Sequence, residues 1–220
     1  MKLIYNKLIH PIHWNQDTIL KLTIENKAFY RKFLMELTEQ IKNKDEAPFK
    51  VMKEGEDVTA KLNVMVDLFH LENTEVAILN SLRTQLVKYL QADYEKVTAL
   101  KQTIVEIFRE CYFDQEFDVF VGDELNLRTF AKVLDISVDF DAPTLVERLV
   151  NYIEISHRLE LYKVFMLVNL SLYLNEEEIK LFKKEMVQKK IPIILLERAH
   201  MHSSEWETNF IVTKNLSELF

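Results

Sequence analysis

Two continuous apolar runs bound what this chain can fold into. VFMLVNLSLYL spans Val164 to Leu174, and IPIILL spans Ile191 to Leu196. Neither alternates apolar with polar residues, so each reads as a strand covered on both faces, the pattern of a parallel sheet. Between them Asn175 stands where a helix cap is needed, and EEEIKLFKKEMVQKK follows. Three glutamates open that helix, and Lys189 and Lys190 close it, which suits the helix dipole. Strand, helix and strand in this order form a β-α-β unit, which implies helices laid on a mostly parallel sheet. NFIVTKN, from Asn209 to Asn215, adds a final strand.

The N-terminal segment reads the same way. KLIYNK (Lys2 to Lys7) and TILKLTI (Thr18 to Ile24) are apolar and β-branched enough for a sheet. Asn26 is placed to cap a helix with Phe29, Phe33, Leu37 and Ile41 along one face. A turn at EGED then separates two predicted strands, Phe49 to Lys53 and Val58 to Val66. The middle of the chain changes period. Thr74 to Gln91, Tyr94 to Tyr112, Leu127 to Leu134 and the segment from Pro143 to Arg158 all carry helical spacing. No linker rich in Pro, Gly or Ser marks a boundary. The predicted fold is α/β: a head with a mostly parallel sheet, formed by residues 1–70 and 161–220, interrupted by a helical leg at residues 71–160.

Composition then removes function classes. Gly55 and Gly122 are the only glycines in 220 residues. A loop of the G-x-x-x-x-G-K-[ST] type needs glycines close together so that its backbone can approach phosphate, and G-x-G-x-x-G needs them too. Ordinary phosphate-loop ATPases and Rossmann enzymes are therefore not expected. Cys111 is the only cysteine, which rules out an intrachain disulfide and a cysteine-rich zinc site. Next to Tyr112 and Phe113, it reads as a buried structural thiol. His10 and His13 flank Pro11, and His200 and His202 lie two apart, but neither pair has a third ligand nearby. The N-terminus lacks the apolar core of a signal peptide, and the longest apolar runs are too short to span a bilayer. A cytoplasmic location without membrane contact is expected.

The net charge of −7 is unevenly spread. Residues 1–61 carry +2, residues 62–160 carry −9, and residues 161–220 carry 0. The densest acidic stretch, DQEFDVFVGDE from Asp114 to Glu124, holds five carboxylates and no basic residue. Glu116, Asp118, Asp123 and Glu124 flank Gly122 in a strand-turn context. Clustered carboxylates suit a hard cation such as calcium, although the EF-hand ladder is absent. A solvated acidic hairpin without a ligand accounts for the same residues, and a catalytic carboxylate pair is a third reading. Lysines crowd elsewhere: Lys42, Lys44, Lys50 and Lys53 in the head, and Lys180, Lys183, Lys184, Lys189 and Lys190 on one C-terminal helix. Lysine suits sequence-blind contact with phosphates. On the helix, interspersed acids favour a solubilising face instead.

The order of elements, with Glu110-Cys111, Glu116 and Asp118, Asp123-Glu124 and the C-terminal Thr213-Lys214-Asn215, resembles a known family over essentially the whole chain. It is the small CRISPR-associated adaptation protein of type II-A systems, which forms tetrameric rings on double-stranded DNA ends. The resemblance implies a head like a phosphate-loop ATPase core without the nucleotide site, a helical leg and no catalysis. It implies a homotetramer whose hole carries lysines and admits duplex DNA, supported by calcium. Glu116, Asp118, Asp123 and Glu124 match the acidic positions that would hold the metal. Lys50 and Lys53 match the family's hairpin lysines, and Lys132 matches one after the acidic region. The implied partners are the adaptation integrase, its companion subunit and the RNA-guided effector nuclease. Two other classes stay open: a metal-dependent nuclease or degenerate ATPase using the acidic cluster, and an interaction scaffold that does not touch DNA.

Overall fold

The computed structural model describes residues 1–42, 48–69, 72–112, 125–134, 136–138, 142–199 and 206–220. Of Lys42, residues 72–75 and Tyr112 it describes the backbone alone. In chain order the elements are β1 (Lys2–Tyr5), β2 (Ile12–His13), β3 (Ile19–Ile24), α1 (Lys27–Lys42), β4 (Phe49–Lys53), β5 (Glu56–Asp57) and β6 (Leu62–Met65). These are followed by α2 (Glu72–Ala92), α3 (Tyr94–Tyr112), α4 (Leu127–Val133) and α5 (Leu145–Arg158). The chain ends with β7 (Val164–Val168), α6 (Glu176–Gln188), β8 (Ile193–Glu197), β9 (Glu207–Val212) and β10 (Glu218–Leu219).

The fold is mixed α/β. Six strands form one sheet in the order β10-β9-β3-β8-β7-β6, parallel except for the β10–β9 pair. Four form a second, antiparallel sheet in the order β2-β1-β4-β5. β7 and β8 are buried at every residue, as the apolar runs VFMLV and IILL require, and the burial extends to Glu197 at the end of β8. Chain caps set the helix starts. Asn26 Oδ1 accepts the amides of Ala28 and Phe29 at 3.1 and 3.0 Å, and capping boxes open α5 at Thr144 and α6 at Asn175.

One core unites both sheets with α1. It gathers Leu3, Tyr5, Phe33, Leu37, Phe49 and Val51 with Leu20, Leu22, Met166 and Leu196. Tyr5 stacks on Phe49 at 4.2 Å between centroids, and Phe33 meets Phe49 edge-on at 4.7 Å. Residues from β3 onward therefore show two faces. Leu20, Leu22 and Ile24 point into this core, and Lys21 and Thr23 point to the other side.

Two local features depart from the sequence reading. The predicted strand from Val58 to Val66 is shortened: a 3-10 turn takes Thr59–Lys61 and only β6 is strand, in the large sheet, while the predicted EGED turn carries β5 of the small sheet. Thr59 drives the break, its Oγ1 donating to the Asp57 carboxylate at 2.6 Å and accepting Val51 N–H at 2.8 Å. The chain separates into two compact units, residues 1–72 with 140–220 and residues 73–139. The expected leg ran to residue 160, whereas α5 belongs to the first unit. It buries Val146, Leu149, Tyr152 and Ile153 and packs on α6. In the second unit α2 and α3 are linked by Asp93, whose carboxylate accepts Lys96 N–H at 3.2 Å. Asn126 caps α4 through Thr129 N–H at 3.0 Å. Among the described residues, no helix is long and apolar enough to cross a membrane.

Candidate nucleic-acid interface

Lys50 and Lys53 were expected to act together, but the pleat separates them. Side chains along a strand alternate between faces, so residues three apart point to opposite sides. On β4, Phe49 and Val51 enter the core, and Lys50 is exposed between them. Lys53 lies across from Glu56 at the hairpin end and is half-buried. Its charge reaches His157 near the end of α5. Burial holds that imidazole below its ordinary range, Lys53 pushes it the same way, and Glu160 opposes them.

The hairpin that presents Lys50 turns through Glu54 and Gly55, with φ of 51° and 88°. Both central residues are left-handed, as a two-residue turn compatible with strand twist requires. Nothing lies within 4 Å of where a Gly55 Cβ would sit, so the glycine is needed for its backbone angle and not for space.

The other expected site residues divide. Lys132 is exposed on α4, in the second unit. Lys42 ends α1, with its side chain outside the described residues. Lys44, Glu116, Asp118, Asp123 and Glu124 lie outside the described residues altogether, as do His200 and His202. Among the described residues, no group of three or more His, Cys, Asp or Glu side chains could hold a metal. His10 is tied instead to Glu218, whose carboxylate accepts the amides of Ile9 and His10 at 2.6 and 3.1 Å. Cys111 corrects the expectation of a buried thiol. It is exposed, in the same last turns of α3 that leave Ile107 and Phe108 open.

The helix lysines are corrected in part. Lys183 is not on a solubilising face: it is 6% exposed, and its Nζ lies 2.5 Å from Glu207 Oε1. Lys21 Nζ approaches Glu207 Oε2 at 4.0 Å. Nearby, Glu197 is buried and accepts Ser171 N–H at 3.1 Å and Ser171 Oγ–H at 2.6 Å. Burial pulls the Lys21 ammonium below its usual range and pushes the Glu197 carboxyl above its own, with the hydrogen bonds from Ser171 opposing the second shift. Lys189 is engaged as well, with Glu154 at 3.0 Å and Glu185 at 3.5 Å.

The carboxyl ends of parallel strands are where α/β sheets usually bind ligands. Here β3 and α1 are joined by Glu25 and Asn26 alone. The Asn26 side chain takes the amides that a phosphate would otherwise use. Beside it, Tyr30 donates to Asn169 Oδ1 at 2.8 Å, and the Arg198 guanidinium lies 5.8 Å from the Tyr30 ring centroid. At this end of the sheet these side chains engage one another.

The class so defined is an α/β head built from both ends of the chain, with a helical unit inserted between them. The CRISPR-associated protein (Cas_Csn2) family model matches residues 40–216, and the chain belongs to that family. Its fold is similar to the crystal structure of Stu0660 of Streptococcus thermophilus. The TM-score is 0.55 at 13% identity, over 100% of this chain and 76% of that one. No curated protein matches the chain.

Proposed function

We propose that this protein serves CRISPR spacer acquisition as a non-catalytic, sequence-independent binder of double-stranded DNA ends. In this reading it acts as a calcium-supported homotetrameric ring, alongside the adaptation integrase, its companion subunit and the RNA-guided effector nuclease. Membership of the Cas_Csn2 family carries the proposal. The exposed Lys50 on the small sheet supports contact with phosphates. The five parallel strands, with the first of them, β3, in the interior, support a head related to phosphate-loop ATPases. The two-residue link after β3 and the self-capped α1 support the loss of nucleotide chemistry from it. Glu116, Asp118, Asp123 and Glu124 would hold the calcium and neutralise the acidic middle of the chain. Symmetry would then gather a few lysines per subunit around one hole.

Sedimentation tests this directly. The protein is mixed with linear or covalently closed duplex of equal length, with calcium or with chelator. Retention on linear DNA only, lost with chelator, is expected. Equal retention on the closed circle refutes threading, and fragmentation of DNA in magnesium or manganese refutes the non-catalytic reading. An unchanged tetramer in chelator removes the role given to calcium.

A further inference from the structure

The four-stranded sheet has one face in the core and one in solvent. Its register determines which residues share the open face. Lys2 pairs with His13 on one side and with Met52 on the other, and Met52 pairs with Asp57. A row therefore runs His13, Lys2, Met52, Asp57 across all four strands. Ile4 pairs with Lys50 in the next row on the same face. Directly opposed residues have Cβ atoms about 5 Å apart, and diagonal ones such as Lys2 and Lys50 about 7–8 Å. Lys2 and His13, neither of which the sequence marks as a phosphate contact, are thus neighbours of Lys50 despite lying 48 and 37 positions away in the chain.

The charges on this face are not equally available. Among the described residues, neither Lys2 nor Lys50 has a carboxylate within 4.0 Å, although Asp57 feels Lys50 at longer range. The carboxylates nearby are engaged. Asp57 accepts Thr59 N–H at 2.9 Å and Thr59 Oγ1–H at 2.6 Å, and these bonds hold it below the usual carboxylate range. Glu54 accepts from Gln16 Nε2 at 2.9 Å. A groove of about 370 Å³ opens on this face, lined by Lys2, Ile4, His13, Met52, Glu54 and Gly55. It has no Phe, Tyr or Trp ring on which a base could stack, so its chemistry favours a phosphate backbone over unpaired bases.

We infer that the open face of the small sheet is the phosphate-contacting surface of each subunit, with Lys2 and His13 joining Lys50, and with Lys53 on the opposite side of β4. The inference rests on the duplex-binding reading above and specifies where it happens. Lys2 and Lys50 reach successive phosphates of one strand. His13 supplies a ring N–H donor beside Lys2, and Asp57 bounds the surface at the far edge by repulsion.

Binding of a labelled blunt-ended duplex is measured by fluorescence anisotropy with calcium present, at a series of salt concentrations. The set is the full chain and its Lys2→Ala, Lys50→Ala, Asp57→Asn and Lys27→Ala variants, with circular dichroism as the check on folding. Each phosphate contact contributes about 0.9 to the slope of log affinity against log salt. Lys2→Ala and Lys50→Ala are expected to reduce the slope by that amount for every subunit in contact. Asp57→Asn should raise affinity at low salt. Lys27→Ala removes the same charge from exposed α1 and should leave the slope unchanged. If wild type binds with a steep salt slope but Lys2→Ala and Lys50→Ala keep it, this surface is wrong and the duplex-binding reading survives. The surface is equally wrong if Lys27→Ala flattens the slope as much as they do. If wild type shows no salt-dependent binding of duplex, both fall.

Discussion

The buried ionic group beneath α6 gives the most exacting test of the structure. Lys183 Nζ stands 2.5 Å from Glu207 Oε1, and Lys21 Nζ stands 4.0 Å from Glu207 Oε2. At an effective dielectric of 20 these separations correspond to attractions of about 7 and 4 kcal/mol. Desolvation of each ion costs several kcal/mol, so the intact group adds little net stability. Removing one member is different, because the charge left behind stays buried. Breaking a buried pair costs about 3–5 kcal/mol. Lys183→Met leaves Glu207 with Lys21 still near, and falls at the lower end of that range. Glu207→Gln leaves two lysines facing each other and falls at the upper end. For a chain of this size the range is a loss of about 6–20 °C in Tm. The double variant Lys183→Met/Glu207→Gln should cost less than the sum of the singles. Its remaining cation at this spot, Lys21, no longer faces a second buried lysine, and burial already holds it below its ordinary range. The assay is urea unfolding at pH 7, followed by circular dichroism. Single variants within about 1 kcal/mol of wild type, or Lys183→Met costing more than Glu207→Gln, would refute the reasoning.

Three further outcomes are expected. Glu197 has its folded pKa raised, so it adds stability that is fully present below its unfolded value and lost as pH rises through the folded one. Glu197→Gln should remove that decline from the stability–pH profile above pH ~4.5, and a wild-type profile that rises there in step with the variant's would contradict it. Gly55→Ala should cost about 1–2 kcal/mol from backbone strain alone, and Gly55→Asn less, since asparagine tolerates the left-handed region. Equal urea midpoints for the two would disprove that cause. Thr144→Ala removes the cap of α5 and should cost about 1 kcal/mol in the same assay.

What the sequence disclosed was local. Asn26 and Asn175 are caps because a short polar side chain must take the first free amides of a helix, whatever lies elsewhere in the chain. The β7-α6-β8 unit was legible because burial on both faces leaves no polar position in VFMLV or IILL. The 3-10 turn at Thr59–Lys61 was not, because Val58 starts an apolar pattern and only the hydrogen bonds of Thr59 turn the chain. The sequence places α5 with the leg because its helical period says nothing about which neighbour receives its apolar face.

The lysines show why charge is the least legible feature. In EEEIKLFKKEMVQKK, Lys183 and Lys184 are adjacent and chemically equal, yet one is buried against Glu207 and the other is exposed. Helical period alone assigns them to different faces, but only the partner, 24 residues on at the start of β9, makes burial of the first tolerable. Lys50 and Lys53 pose the converse problem. They look like one basic cluster, and strand parity sets them on opposite sides of β4. Lys2 has no basic neighbour in sequence, and antiparallel pairing places it beside Lys50. Counting charges along a chain therefore overstates the surface where clusters are sequential and misses it where register builds them. The cations that remain open to phosphate in this head are those whose strand or helix parity points outward and whose cross-strand carboxylates already have partners.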